Sequence, residues 1–253
     1  MTISPKFWTP THNIWNCLDW HPTKQQFEQF TKLQNLLREW NKNINLTRLI
    51  EDNDFWISQI IDSLWPIKNE LKNHDKQLQI IDVGTGCGLP GLAIAIALPN
   101  SSITLVDSIY KKTHAVKEIT KDLGLKSRVS IRTERIEVTG QSSQFRGNFD
   151  LAIARAVAQG AVLAEYLIPL LKPSGQAILY KGQWQESEKK ELIEALAILK
   201  GKILSSEYFL LPEHQGKRHS IRLGSTHECP KKFPRSIGIP LKQPLNNQST
   251  TNL

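Results

Sequence analysis

Gln79-Ile80-Ile81-Asp82-Val83-Gly84-Thr85-Gly86-Cys87-Gly88-Leu89-Pro90-Gly91 is an apolar run that ends in an acid and a glycine-dense turn. The stretch after it, Leu92 to Leu98, is uniformly apolar and alanine-rich, as a buried helix is. Glycines at 84, 86, 88 and 91 permit positive φ and let a ligand approach the backbone without meeting a Cβ. Pro90 suits the first turn of a helix, where a missing N–H costs nothing. The segment reads as strand, turn and helix around a nucleotide.

Two cofactor classes compete for such a turn. Gly86-Cys87-Gly88-Leu89-Pro90-Gly91 satisfies the G-x-G-x-x-G pattern in which a helix N-terminus holds a pyrophosphate. Asp82, two residues before the first glycine, argues otherwise: a carboxylate there repels a pyrophosphate and attracts the ammonium and sulfonium of S-adenosylmethionine. Asp107 closes the next apolar run, Ile103 to Val106, at about the spacing of a ribose-binding carboxylate, roughly 20 residues on. It suits either cofactor, so Asp82 carries the preference, with Gly86 and Gly88 shaping the turn.

Outward from this turn the chain alternates short apolar strands with helical stretches. Strands are expected at 79–83, 103–107, 128–132, 149–153, 176–181, 202–211 and 218–223, and helices at 89–98, 110–123, 159–171 and 185–199. Such alternation implies a mostly parallel sheet with helices on both faces. The last two strands have only the turn Pro212 to Lys217 between them, so they pair antiparallel at the sheet end. This is the α/β, Rossmann-like arrangement of class I S-adenosylmethionine-dependent methyltransferases, a second argument for that cofactor.

Four regions are expected. Residues 1–22 form an irregular arm whose indoles (Trp8, Trp15, Trp20) pack on the body. Residues 23–77 form a helical extension: Thr23 caps a helix from Lys24 to Asn41, and a second helix runs from Asp54 to Leu64 and stops at Pro66. Residues 78–223 form the methyltransferase domain. Residues 224–253, with Pro230, Pro234, Pro240 and Pro244, read as an extended or disordered basic tail.

Composition bounds the setting. The 253 residues, 40% hydrophobic, suffice for one α/β domain with terminal additions. No apolar run approaches the ~18 residues of a bilayer span, and no secretory signal is evident near the start. Cys17, Cys87 and Cys229 are far apart, against a disulfide framework or zinc site, and no histidine has metal-ligand spacing. The expected place is the reducing cytosol. From His214 to Leu253 there are seven basic residues and one acid, +6 of the chain's +8. A polyanion, nucleic acid first, is the natural partner.

The target atom decides what methyl transfer needs beyond alignment. Amine methylation of bases usually uses an Asn/Asp-Pro-Pro-aromatic motif after the fourth strand, where this chain has Ala154-Arg155-Ala156-Val157. Cytosine C5 chemistry needs a cysteine nucleophile, and neither Cys87 nor Cys229 is placed for it. Guanine N7 needs neither device, having a free lone pair and no proton to lose.

At this point the chain resembles the bacterial 16S rRNA guanine-N7 methyltransferases, called RsmG or GidB (glucose-inhibited division protein B). The matching pieces are Trp40 to Thr47, Ile61-Asp62-Ser63-Leu64, Asp82 to Gly91, Leu105-Val106-Asp107-Ser108 with Lys111-Lys112, Arg135-Ile136-Glu137, Ala154-Arg155-Ala156, Tyr180-Lys181-Gly182 and Lys217-Arg218-His219. Pro230 to Arg235 resembles the tail of longer members. The resemblance implies a cytoplasmic enzyme, monomeric and not membrane-bound, that methylates N7 of one guanosine in the 530 loop of 16S rRNA or the small ribosomal subunit. It also implies that Gly84 and Leu89 contact the cofactor, that Asp107, Ser108 and Ile109 surround its adenosine, and that Ile136 and Glu137 flank the adenine. Arg155 then reaches the cofactor edge or the substrate and is the candidate catalytic group. Lys181, Arg218, Lys231, Lys232 and Arg235 are candidate RNA contacts. Gln59 stands where the family commonly has histidine, so no role of that histidine carries over. Three alternatives stay open: a methyltransferase for another RNA or a small-molecule acceptor, an NAD-binding oxidoreductase, and a non-enzymatic RNA-binding module.

Overall fold

The structure, a computed structural model, describes residues 12–73 and 75–246. Seven strands form one sheet: β1 Gln79–Val83, β2 Ser102–Asp107, β3 Val129–Thr133, β4 Phe149–Arg155, β5 Leu171–Lys181, β6 Gly201–Leu210 and β7 Lys217–Ser225. Their order is β3-β2-β1-β4-β5-β7-β6. The first five pair parallel, and β7 enters antiparallel between β5 and β6. This is the class I methyltransferase fold. The strands differ from the sequence expectation mainly at their ends, and β5 starts earlier because Leu171 pairs with Phe149 ahead of a register shift.

Alternation along the strands divides the core in two. Ile80, Leu151, Ile153, Ile178 and Tyr180 face one layer, and Ile81, Val83, Ala152, Ala154, Ala177 and Leu179 the other. The first layer holds α1 (Lys24–Asn41), the helical run over residues 52–72, α5 (Gly91–Ala97) and α6 (Tyr110–Asp122). The run comprises α2 (Asp52–Phe55), a π-helical stretch Trp56–Ile61, α3 (Asp62–Leu64), a 3-10 turn Trp65–Ile67 and α4 (Lys68–Lys72). The second layer holds α7 (Ile136–Gln141), α8 (Gly160–Leu167), α9 (Glu186–Leu199) and the C-terminal segment with α10 (Ile239–Lys242).

Thr23 caps α1 as its sequence implies. Its Oγ1 accepts from Gln26 N at 3.2 Å, and Gln26 Oε1 accepts from Thr23 N at 2.9 Å. The Gln26 amide also donates to Ile96 O and Ala97 O at 3.1 and 3.2 Å, tying α1 to the end of α5. The second helix begins at Asp52 and its α-helical part ends at Leu64, as expected; the chain then continues as a 3-10 turn over Trp65–Ile67, in whose first turn Pro66 needs no N–H partner. Near the start, His12–Leu18 is a 3-10 helix. Trp15 is buried, stacking on Phe30 at 6.0 Å and meeting Trp56 edge-on at 6.2 Å. Trp8 lies outside the described residues.

As far as residue 246 the C-terminal segment is not the extended or disordered tail that its prolines suggest; residues 247–253 of that expected tail lie outside the described residues. Phe233 and Leu245 are buried in the second layer. The Arg146 guanidinium donates to the carbonyls of Cys229 (2.7 Å), Pro230 (3.1 Å) and Phe233. No helix among the described residues is long and apolar enough to cross a membrane.

Candidate active site

Strand order reverses at β1, where the neighbours are β2 on one side and β4 on the other, and in open α/β sheets ligands bind at that edge. The carboxyl ends of these strands carry Val83, Asp107 and Arg155. Between them opens a cleft of about 430 Å³, a size ordinary for a cofactor. Gly84, Gly86, Leu89, Asp107, Ser108, Ile109, Ile136 and Arg155 line it, as their sequence positions lead one to expect. Leu46, Thr47, Lys112, Glu134, Arg135, Val157 and Leu241 also line it, although the sequence reading assigns none of them to the cofactor.

The glycine turn is built on two carboxylates with different tasks. Asp107 sits at the rim. Its Oδ2 accepts from Gly86 N and its Oδ1 from Ile109 N, both at 2.9 Å, so it fixes the turn and the entry to α6 together. Each oxygen keeps a second lone pair, which suits vicinal ribose hydroxyls. Ile109 and Ile136 supply apolar walls in the same cleft. Gly84 has φ +71°, and a Cβ there would meet Val157 Cγ2 at 2.4 Å, so only glycine keeps this wall open. These residues fit the adenosine half of S-adenosylmethionine.

Asp82 corrects the sequence reading. It does not line the cleft but is wholly buried beneath it, where Oδ2 accepts from Thr85 Oγ1 (2.7 Å) and Gly91 N (2.9 Å). It therefore shapes the loop rather than facing a cation directly. Its Oδ1 has no hydrogen-bond partner. Burial pushes its carboxyl up to about 6, against the lowering effect of the Thr85 and Gly91 hydrogen bonds. An acid harder to ionise in the folded chain than in the unfolded one costs stability as pH rises from about 4 to about 6, and the cost stays above that. Asp82→Asn removes it. Relative to the parent, this variant gains on the order of 3 kcal/mol between pH 4 and pH 7, and the difference levels off above that. Urea unfolding of both proteins from pH 4 to 8 checks this, and a difference that does not vary with pH would refute it.

Glu137 is a second correction. Its carboxylate turns away from the cleft and is buried under the C-terminal segment, where Oε1 accepts from Gly238 N at 2.9 Å and Tyr166 Oη at 3.3 Å. Any adenine contact at this position comes from the backbone. Gly88 also lies off the cleft; the Cβ of any larger residue there would strike Leu92 at 2.6 Å.

Arg155 ends β4 and links the cleft to the N-terminal helices. Its Nη1 donates to Asp62 Oδ2 at 3.0 Å and Ser63 Oγ at 3.4 Å, and its Nη2 donates to Gln59 Oε1. The Gln59 amide in turn donates to Thr47 Oγ1 at 3.0 Å, inside the cleft wall. Asn41 holds that wall: Oδ1 accepts from Leu46 N (2.9 Å) and Thr47 N (3.2 Å), and Nδ2 donates to Thr47 O (2.5 Å). The π stretch, a common feature at functional sites, ends just before Asp62 and so sets the phase of Gln59, Asp62 and Ser63 toward Arg155. Arg155 is thus both a structural ion pair and a cleft residue.

Three candidate RNA contacts turn out to have internal partners. Lys181 Nζ lies 2.7 Å from Glu188, Arg218 Nε 3.5 Å from Asp62, and Arg235 Nη2 2.7 Å from the fully buried Glu165. Lys231 and Lys232 are exposed.

A family model described as rRNA small subunit methyltransferase G matches residues 26–220. Over 253 residues the chain is 66% identical to the ribosomal RNA small subunit methyltransferase G of Prochlorococcus marinus (strain SARG), covering 100% of both. It is 51% identical over 252 residues to the protein of that name from Synechococcus sp. (strain WH7803), covering 100% of this chain and 99% of the other. Among solved structures, a Corynebacterium glutamicum protein shares the fold with a TM-score of 0.52 at 16% identity, over 77% of this chain and 91% of that one. A cleft built at the methyltransferase switch point and likeness along the whole chain agree: the protein belongs to the rRNA small subunit methyltransferase G family.

Proposed function

We propose that this chain transfers the methyl group of S-adenosylmethionine to N7 of a guanosine in the 530 loop of 16S rRNA, acting in the cytoplasm as a monomer on the small ribosomal subunit or its RNA. The observation that carries the reading is a cleft fitted for an adenosine whose one lining thiol, Cys87 in the cofactor turn, is poorly suited to attack a base. Cys87 is buried, and desolvation raises its thiol above the ordinary value, which disfavours the thiolate that C5 methylation needs. The segment after β4 has no proline or aromatic with which to hold an exocyclic amine. The sulfonium supplies the activated methyl. What the protein contributes is position: Gly84 and Gly86 leave the backbone open, Asp107 holds the ribose, Ile109 and Ile136 hold the adenine, and Arg155 fixes the wall nearest the acceptor.

Arg155 does not grip N7, because donation to N7 would occupy the lone pair that attacks. The guanine needs only to be held in line, and its N7 loses no proton. Reverse-transcription mapping of N7-methylguanosine in rRNA from a deletion strain, with and without this chain, tests the reading. Modification that appears only with the chain supports it, and its absence in both cases overturns it. Thermal shifts separate the cofactor classes: S-adenosylhomocysteine is expected to stabilise the protein and a nicotinamide dinucleotide is not.

A further inference from the structure

We propose that the rim of the cleft carries an RNA-stacking platform at Tyr110, from which a basic groove leads away between α6 and β3. Tyr110 opens α6 next to Ile109 and close to Lys112, both of which line the cleft. It is 70% exposed, yet it is braced. Its ring stacks on His114 one helical turn later, with centroids 5.9 Å apart and planes at 12°. His114 in turn meets Trp40 edge-on at 5.8 Å and 89°. A large aromatic that buries so little gains little from burial. A flat, pre-ordered ring on the rim of a site suits an unpaired base, whose π face any sequence provides.

Beyond Tyr110 lies a second concavity of about 590 Å³, lined by His114, Lys117, Lys121, Lys126 and residues of β3. Its carboxylate, Glu118, pairs with Lys121 at 3.6 Å. Lys117 and Lys126 have no carboxylate partner among the described residues. A polyanion answers these ammonium groups, and the ring beside them favours nucleic acid, in which each unpaired base next to a phosphate offers a flat π face. The placement follows from the reaction: a guanine that enters the cleft draws its neighbouring nucleotides across this rim. The inference rests on the RNA substrate proposed above and adds where that RNA leaves the site.

The test uses the full chain saturated with S-adenosylhomocysteine and small ribosomal subunits from the deletion strain. Tyr110→Ala is expected to bind subunits about 10-fold more weakly, and Tyr110→Phe within about twofold of the parent. Lys117→Glu weakens binding and lowers its salt dependence. Affinity for S-adenosylhomocysteine stays unchanged in all three, and ultraviolet cross-links map residue 110 to 16S rRNA. Parent-like binding by Tyr110→Ala, or equal loss in Tyr110→Phe, overturns the platform while leaving the RNA substrate intact. Cross-links to ribosomal protein alone also overturn it. A parent chain that binds neither subunits nor naked 16S rRNA brings down both readings.

Discussion

Glu165→Ala should lower stability by about 3–5 kcal/mol and free residues 229–246 from the body of the protein, the range for breaking a buried ion pair from one side. Glu165 lies on α8 with no exposed surface, and its carboxylate accepts from Arg235 N (2.8 Å), Nε (3.0 Å) and Nη2 (2.7 Å). Removing it leaves a guanidinium that is itself only 12% exposed without a counter-charge. The cheapest way to rehydrate that charge is to peel the segment away, which also uncovers Phe233 and Leu245. Leu241 lines the cofactor cleft, so the loss reaches function: affinity for S-adenosylhomocysteine falls as the segment opens. Urea unfolding gives the stability change, and hydrogen exchange over 229–246 gives its location. The double variant Glu165→Leu/Arg235→Met should recover part of the loss, because no buried charge is left without a counter-charge, although the Arg235 backbone N–H loses its acceptor. A single variant with native exchange in this segment would refute the clasp.

The same pair shows where sequence reading stops. The sheet was legible because apolar alternation and the glycine turn are local signals, and Asp107 follows from the turn by spacing. α7 was missed because Ile-Glu-Val-Thr-Gly-Gln carries β-branched residues and a glycine, a poor intrinsic helix that packing against α8 and the C-terminal segment holds in place. The segment after β7 read as a loose basic tail because prolines dominate its local pattern. The contrary signal, Phe233 and Leu245 among the polar residues, speaks only once a surface exists to receive them. Charge misled for a related reason. Of the seven basic residues near the C-terminus, Arg218, Arg222 and Arg235 face Asp62, Glu70 and Glu165, acids far away in sequence. A count of charges cannot reveal such pairings. Asp82 was correctly tied to the loop but misplaced by one layer, since spacing fixes a strand position and not whether the loop folds over it.

Arg155→Ala is expected to reduce kcat/KM for small ribosomal subunits by about 100-fold, the scale of loss when a positioning group lets reacting partners drift by about 1 Å. The guanidinium joins the end of β4 to both Asp62 and Gln59, and through Gln59 to the Thr47 wall. Without it, the 8%-exposed Asp62 keeps only Arg218 at 3.5 Å, and the N-terminal helices lose their fixed distance from the cleft. Arg155→Lys should rescue little, because one ammonium cannot span two acceptors as a planar fork does. Asp62→Asn separates the two sides of the role. It keeps the shape and removes the charge, so a purely structural Arg155 predicts that it copies Arg155→Ala in both stability and turnover. An Arg155 that also acts at the acceptor predicts that Asp62→Asn retains most of the turnover while Arg155→Ala does not. Single-turnover methylation with cofactor and subunits both saturating reads this directly, and S-adenosylhomocysteine calorimetry shows whether the cofactor half is intact. Full turnover by Arg155→Ala would remove the residue from the active site altogether.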